Sequence, residues 1–176
     1  MMTPQKVPDA TFHTRVRNDA LGGDNPFEWK RLSSADVFAG KRVVLFALPG
    51  AFTPACSDSH LPGYERHYAD FVALGIDRVV CLAINDAFVM FQWAKSRSIE
   101  NVFMLPDGNG EFTRKMGMLV DRSTQGLGMR SWRYSMLVDD CTIQRVFAEP
   151  GFKDNPDGVP LERSSAEVML AYLQKA

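Results

Sequence analysis

Two unbroken apolar runs constrain this chain more than any other feature: Val43-Val44-Leu45-Phe46-Ala47-Leu48 and Val79-Val80-Cys81-Leu82-Ala83-Ile84. Each has the length of a strand and opens on β-branched residues. Neither alternates with polar residues, so both read as strands buried in a sheet, the second on both faces. Strands of that kind need helices to cover them, and the chain supplies candidates. A helix is predicted from Thr53-Pro54 through Tyr64, Phe71 and Leu74 to a cap at Gly75, with a kink at Pro62. Asn85 and Asp86 can cap a second helix over Ala87 to Arg97, with Phe88, Phe91 and Trp93 as core candidates. Val102 to Leu105 is a short strand, Pro106 to Gly110 a turn, and Glu111 to Met116 a short helix. Arg133 to Val138 and Ile143 to Ala148 read as an antiparallel hairpin turning at Asp139-Asp140. After a loop rich in proline, glycine and acidic residues, Ser164-x-x-Glu167 reads as a capping box for a last helix, with Val168, Ala171 and Tyr172 on its buried stripe. Upstream, Thr11 to Val16 suits a short strand or hairpin arm, Asp19 to Pro26 a turn-rich loop, and Ser33 to Phe38 a helix closed by Gly40. Strands alternating with helices and ending in a hairpin argue for an α/β sheet flanked by helices. At 176 residues the expectation is one domain, residues 1–176.

The chemistry is predicted where the first apolar run ends. Pro49-Gly50 breaks the strand, and Thr53-Pro54 has the form of a helix start: a hydroxyl at the cap and proline at the first helical position. Cys56 is then the third residue of the helix, beside unpaired N–H groups and the positive end of the dipole, where a thiolate is stabilised. Most free cysteines are inert core filler. Cys56, however, is flanked by Thr53, Pro54, Ser57, Asp58 and Ser59 rather than by an apolar stripe, which favours a reactive thiol over a core position.

Other classes fall away. A formal net charge of −1 gives no reason to expect a nucleic acid or an anionic membrane as partner. No apolar run approaches a membrane span, and Met1 to Lys6 lacks a signal-peptide core. Three cysteines without a CxxC pair indicate neither a disulfide framework nor a zinc site, and a reducing, cytoplasmic setting is the simplest inference. Asp107-x-Asn109-x-Glu111 fails the spacing of a calcium loop, and no glycine motif follows a strand as a nucleotide site requires. No metal or other cofactor is called for.

Pro49-Gly50-Ala51-Phe52-Thr53-Pro54-x-Cys56-Ser57, followed by His60-Leu61-Pro62-Gly63-Tyr64, resembles the active-site signature of the peroxiredoxins, and within them the type II, peroxiredoxin-5-like branch. The likeness continues through Asn85-Asp86-Ala87-Phe88-Val89, Pro106-Asp107-Gly108-Asn109-Gly110 and Arg130-Ser131-Trp132-Arg133-Tyr134-Ser135-Met136, covering roughly residues 3 to 174. It implies a thioredoxin-like α/β fold, a central mixed β-sheet flanked by helices. It further implies reduction of hydrogen peroxide and alkyl hydroperoxides through a cysteine sulfenic acid. By position Cys56 resembles the peroxidatic cysteine, Thr53 the active-site threonine, Arg133 the active-site arginine and Pro49 the proline that shields the site. Arg130 is a nearby second positive charge. The resemblance also suggests a homodimer packed through loops around the site.

A free thiol with pKa ~8.5 is about 3% ionised at pH 7, so full ionisation gains at most about 30-fold, or ~2 kcal/mol. The remainder must come from holding the peroxide and stabilising its leaving oxygen, tasks suited to Arg133, the Thr53 hydroxyl and backbone N–H groups. His60, one turn beyond Cys56, invites a Cys–His nucleophile, the pattern of a thiol hydrolase, but capping or a dimer contact explains it equally well. A disulfide oxidoreductase lacks its CxxC pair. A peroxide sensor passing oxidation to a partner shares the same cysteine. For resolution, Cys81 lies 25 residues after Cys56, as in plant-type members of the branch, yet within a buried strand. Pairing requires Cα atoms within about 7 Å and so an unwound first turn. Cys141 sits on the hairpin outside any motif. A small thiol need only reach an exposed sulfenic acid, so glutathione with glutaredoxin is the expected reductant. Thioredoxin, with Cys81 resolving, is the alternative.

Overall fold

The computed structural model describes residues 6–175; the N-terminal stretch read above for a leader begins outside them. The core is a five-stranded mixed sheet in the order β5-β4-β3-β8-β9. Its strands are β3 (Arg42–Ala47), β4 (Arg78–Ala83), β5 (Phe103–Pro106), β8 (Tyr134–Asp139) and β9 (Thr142–Ala148). The two apolar runs are its centre. β3 pairs in parallel with β4, and β4 in parallel with β5, while β8 runs antiparallel to β3 and β9 antiparallel to β8. This is the thioredoxin-like α/β arrangement expected.

Successive residues of a strand point to opposite faces, so each run feeds two cores. Val44, Phe46, Val79, Cys81 and Ala83 pack on one face with Leu61, Tyr64, Phe71, Trp93 and Met169. Those partners come from α2 (Leu61–Arg66), α3 (Tyr68–Ala73), α4 (Ala87–Ser96) and α6 (Ala166–Leu173). Val43, Leu45, Val80, Leu82 and Met136 pack on the other with Phe12, Phe38, Phe112 and Trp132. That side is closed by the hairpin β1 (Thr11–Arg17) and β2 (Phe27–Ser33), by α1 (Ser34–Phe38) and by α5 (Glu111–Lys115). A further pair, β6 (Leu119–Asp121) with β7 (Met129–Ser131), was not foreseen and precedes the hairpin of β8 and β9.

Several expectations are corrected. The helix running from Thr53 to Gly75 is in fact three pieces: a π-helical turn at Cys56–His60, then α2, then α3 after a break at His67. Pro62 is the cause at the first junction. It has no N–H to give to the Asp58 carbonyl and its ring crowds that oxygen, so the turn widens and Leu61 N–H donates to Cys56 O instead. Phe88 and Phe91 are not core. Ala87, Met90 and Trp93 form the buried face of α4, and the two phenylalanines lie half-exposed against the β1–β2 hairpin. There Phe91 meets Phe27 at 5.4 Å and Phe88 meets Trp29 at 5.5 Å. Ser165, not Ser164, caps α6, whose buried face is Ala166, Met169, Leu170 and Leu173 rather than Val168, Ala171 and Tyr172. The β8–β9 turn falls at Asp140-Cys141, one residue later than read; both have positive φ (42° and 62°), which a two-residue hairpin loop demands. Arg133 stands just before β8, in the segment joining it to β7.

Candidate active site

The loop leaving β3 is held before the cysteine turn begins. Ala51 N–H donates to Asn85 Oδ1 at 2.9 Å, tying the loop to the end of β4. The Thr53 hydroxyl donates to the Gly50 carbonyl at 2.8 Å, so its one described bond closes this loop and leaves its oxygen lone pairs free to accept. Pro49 and Gly50 are buried and Thr53 is half-buried. A Cβ on Gly50 would overlap Arg130 Nη1, so only glycine lets that guanidinium lie across the loop.

Cys56 is 1% exposed and packs with the helix-side core, whereas its polar neighbours in sequence had suggested an accessible position. The wide turn explains the difference: it presents Cys56, Ser57 and His60 inward and Asp58 and Ser59 to solvent. Ser57 is fixed by Trp93, whose buried indole N–H donates to Ser57 Oγ at 3.0 Å.

Arg133 is 2% exposed, and its Nη1 donates to Nδ1 of the equally buried His60 at 3.0 Å. The other imidazole nitrogen, Nε2, donates to the Ser164 carbonyl at 2.9 Å, which assigns the proton to Nε2 and the lone pair to Nδ1. Burial, reinforced by the Arg133 charge, lowers the His60 pKa from 6.5 to about 3. His60 is therefore a neutral acceptor for Arg133, and its lone pair is spent there rather than on Cys56. Arg133 Nε is buried with no hydrogen-bond partner.

Two further guanidiniums complete the surroundings. Arg130 Nε donates to the Leu127 carbonyl at 2.8 Å and Nη1 to the Pro49 carbonyl at 3.4 Å. Arg122, which sequence reading missed, is buried, and both Nε and Nη2 donate to Gln125 Oε1. Burial lowers the pKa of both arginines, while Cys56 within electrostatic reach acts in the opposite sense. Among the described residues none of Arg122, Arg130 and Arg133 is paired with a carboxylate. Arg122 and Arg130 thus stand within electrostatic reach of the buried sulfur, and Arg133 within that of Arg122, all three uncompensated by a carboxylate among the described residues. No pattern of spacing marks Arg122; only the β6–β7 pairing brings it alongside Arg130.

The Redoxin family model matches residues 5–167. Peroxiredoxin sll1621 of Synechocystis is 57% identical over 175 residues, spanning 99% of this chain and 93% of that protein. The chain belongs to the peroxiredoxin family. Its fold superposes on the Plasmodium falciparum antioxidant protein (1-Cys peroxiredoxin) with a TM-score of 0.90 at 32% identity, covering 97% of this chain and 98% of that one. It also matches reduced Prx3 of Vibrio vulnificus in complex with hydrogen peroxide, with a TM-score of 0.82 at 36% identity, over 99% and 96% of the two chains. As a peroxiredoxin the protein is a peroxidase that uses a peroxide substrate and a thiol reductant.

The remaining cysteines differ. Cys81 is wholly buried in β4 within the same core as Cys56; burial, and secondarily Cys56, pushes its thiol well above the usual range. Cys141 is half-buried at the β8–β9 turn. All three are free thiols. Among the described residues no three His, Cys, Asp or Glu side chains converge as a metal site would require, and no helix is long and apolar enough to cross a membrane.

Proposed function

We propose that Cys56 is the peroxide-reacting thiol, that Arg133, Thr53 and Arg130 bind and polarise the peroxide, and that glutathione with glutaredoxin restores the enzyme. The observation that carries this reading is the Arg133 guanidinium: fixed at Nη1 by a neutral histidine, paired with no carboxylate among the described residues, and left with a buried N–H at Nε that a bound oxygen would satisfy. The Cys56 thiolate attacks one oxygen of ROOH. A sulfur–oxygen bond forms as the O–O bond breaks, and the departing RO⁻ takes up a proton to leave as ROH. The cysteine is oxidised to sulfenic acid while the peroxide is reduced by the same two electrons. Donors aimed at the departing oxygen stabilise charge that exists only in the transition state. The relative solved with hydrogen peroxide supports a small hydroperoxide as substrate.

Glutathione thiolate then attacks the sulfenic sulfur, giving a mixed disulfide and water, and a second glutathione releases Cys56 and glutathione disulfide. The raised pKa of Cys81 supports this route over an internal one, since a protonated thiol is a poor nucleophile. So does the likeness to a protein described as 1-Cys. The shared core of Cys56 and Cys81 favours, as the second reading, a Cys56–Cys81 disulfide reduced by thioredoxin. A homodimer packed through the site's rim is supported by the exposure of Phe52 and Met129 on flanking segments, and sedimentation of reduced and oxidised protein tests it. A cytoplasmic setting accords with three free thiols.

The test is peroxide consumption with glutathione and glutaredoxin, and separately with thioredoxin and its reductase. Cys56→Ser should abolish both, and Arg133→Gln should slow the peroxide step by about a hundredfold or more. Turnover with thioredoxin alone, together with a quantitative Cys56–Cys81 disulfide after one equivalent of peroxide, would replace the glutathione assignment.

A further inference from the structure

The neutral histidine that fixes Arg133 is itself fixed from a distance. His60 Nε2 donates to the Ser164 carbonyl at 2.9 Å, and the Tyr64 hydroxyl donates to the same oxygen at 2.9 Å. Ser164 lies in no helix or strand, so something must hold its carbonyl in place. That something is Glu149, just past β9 and 3% exposed. Its Oε1 accepts from the N–H groups of Glu162, Arg163 and Ser164 at 3.0, 2.9 and 2.8 Å and from the Ser164 hydroxyl at 2.7 Å. Its Oε2 accepts from Glu162 N–H at 3.0 Å. Glu149 is tied in turn to the Arg133 segment: its N–H donates to the Arg133 carbonyl at 3.1 Å, and its own carbonyl accepts from the Trp132 indole at 2.9 Å.

We propose that Glu149 is a positioning residue for peroxide reduction, acting through the Ser164 carbonyl and His60 on the Arg133 guanidinium. The inference rests on the peroxidase role given above to Cys56 and Arg133. A buried carboxylate facing three successive backbone N–H groups makes charge-assisted bonds that set the backbone of 162–164 in one arrangement. The Ser164 carbonyl then meets Nε2, which leaves the Nδ1 lone pair directed at Arg133. His60 makes one bond at each ring nitrogen, so displacement of the Ser164 carbonyl tilts the imidazole and with it the guanidinium. Among the described residues no carboxylate touches Arg133, so its full charge stays available to the substrate while its geometry is still imposed by one.

Glu149→Gln keeps the shape but removes the charge and turns an amide N–H₂ toward Glu162 N–H. Stopped-flow tryptophan fluorescence gives the peroxide rate constant, and mass-mapped iodoacetamide labelling gives the reactivity of Cys56 toward a reagent that needs no arginine. Glu149→Gln should slow peroxide reduction by about ten- to a hundredfold, the scale of a misplaced catalytic group. Labelling should change less than about threefold, and in an Arg133→Gln background the substitution should cost nothing more. An unchanged peroxide rate, equal losses in both reactions, or full additivity with Arg133→Gln would overturn the proposal. If Glu149→Gln fails to fold, Ser164→Ala removes the 2.7 Å bond alone and is judged by the same three readings, in the same direction. Failure of the wild type to consume peroxide, or full activity in Cys56→Ser, would instead overturn the underlying assignment.

Discussion

His60→Phe keeps an aromatic ring between Phe46 and Tyr64, whose centroids lie 5.0 and 5.6 Å from the imidazole, but removes both ring nitrogens. Two effects follow, and pH separates them. Near neutrality Arg133 Nη1 loses its partner, a bond to a charged group worth about 1.5–3 kcal/mol, so the variant is less stable by that amount. In acid the gap narrows. Folded His60 takes a proton only near pH 3, whereas in the unfolded chain it does so near 6.5. Between those values the unfolded state binds the extra proton, so stability falls as pH falls through the window. Going from about pH 7.5 to about pH 5, roughly 1.5 units below the unfolded value at 1.36 kcal/mol per unit, this residue alone costs about 2 kcal/mol. Urea unfolding followed by tryptophan fluorescence at both pH values measures it. The wild type should lose about 2 kcal/mol more than His60→Phe on acidification, because every other titrating group is common to the two proteins. Equal losses would refute a neutral, buried His60 and with it the tautomer assigned above.

Gly50→Ala should leave the unfolding midpoint nearly unchanged, since the atom it meets is the far end of a flexible side chain. It should slow peroxide reduction several-fold by pushing Arg130 off the loop, and a wild-type rate would remove Arg130 from the site. Trp93→Phe should cost about 1–3 kcal/mol in urea by leaving the buried Ser57 hydroxyl without its donor. Cys81→Ala should retain most glutathione-supported turnover and Cys141→Ser nearly all of it, with mass spectrometry finding glutathione on Cys56 in both.

Much of this was legible in residue order because strands buried on both faces are apolar throughout. Val43–Leu48 and Val79–Ile84 could be nothing else, and the Pro-Gly break with Thr53-Pro54 behind it marked the helix start by local sterics. What escaped depends on contacts between distant segments. Phe88 and Phe91 read as core because they are large and apolar, yet Trp93 and Met90 fill that face, and only the docked hairpin gives the phenylalanines partners. Ser164 and Ser165 are equally good caps by composition; the buried Glu149 takes the first and leaves the second to α6. Glu149 itself looked like one more acid in a polar loop. The depth of Cys56 was hidden because a π-helical turn advances its residues differently from the α-helix assumed, rotating the sulfur inward.

That inward rotation sets a race. On the glutathione route proposed above, the tripeptide thiol needs Cys56–His60 to open further than the much smaller hydrogen peroxide does, because the sulfur is buried. On that proposal, a sulfenic acid formed at Cys56 would stay sheltered from the thiol until the turn opens, yet exposed to a second peroxide, which would carry it on to the irreversible sulfinic state. The fraction of enzyme lost per turnover is therefore a ratio of two rates, opening against re-attack, and rises with peroxide concentration. Trp93 holds the turn shut through Ser57 and so sits on the slow side of that ratio. A looser latch would trade thermal stability for endurance under oxidant, and the same tryptophan that steadies the fold would determine how long each molecule survives its own substrate.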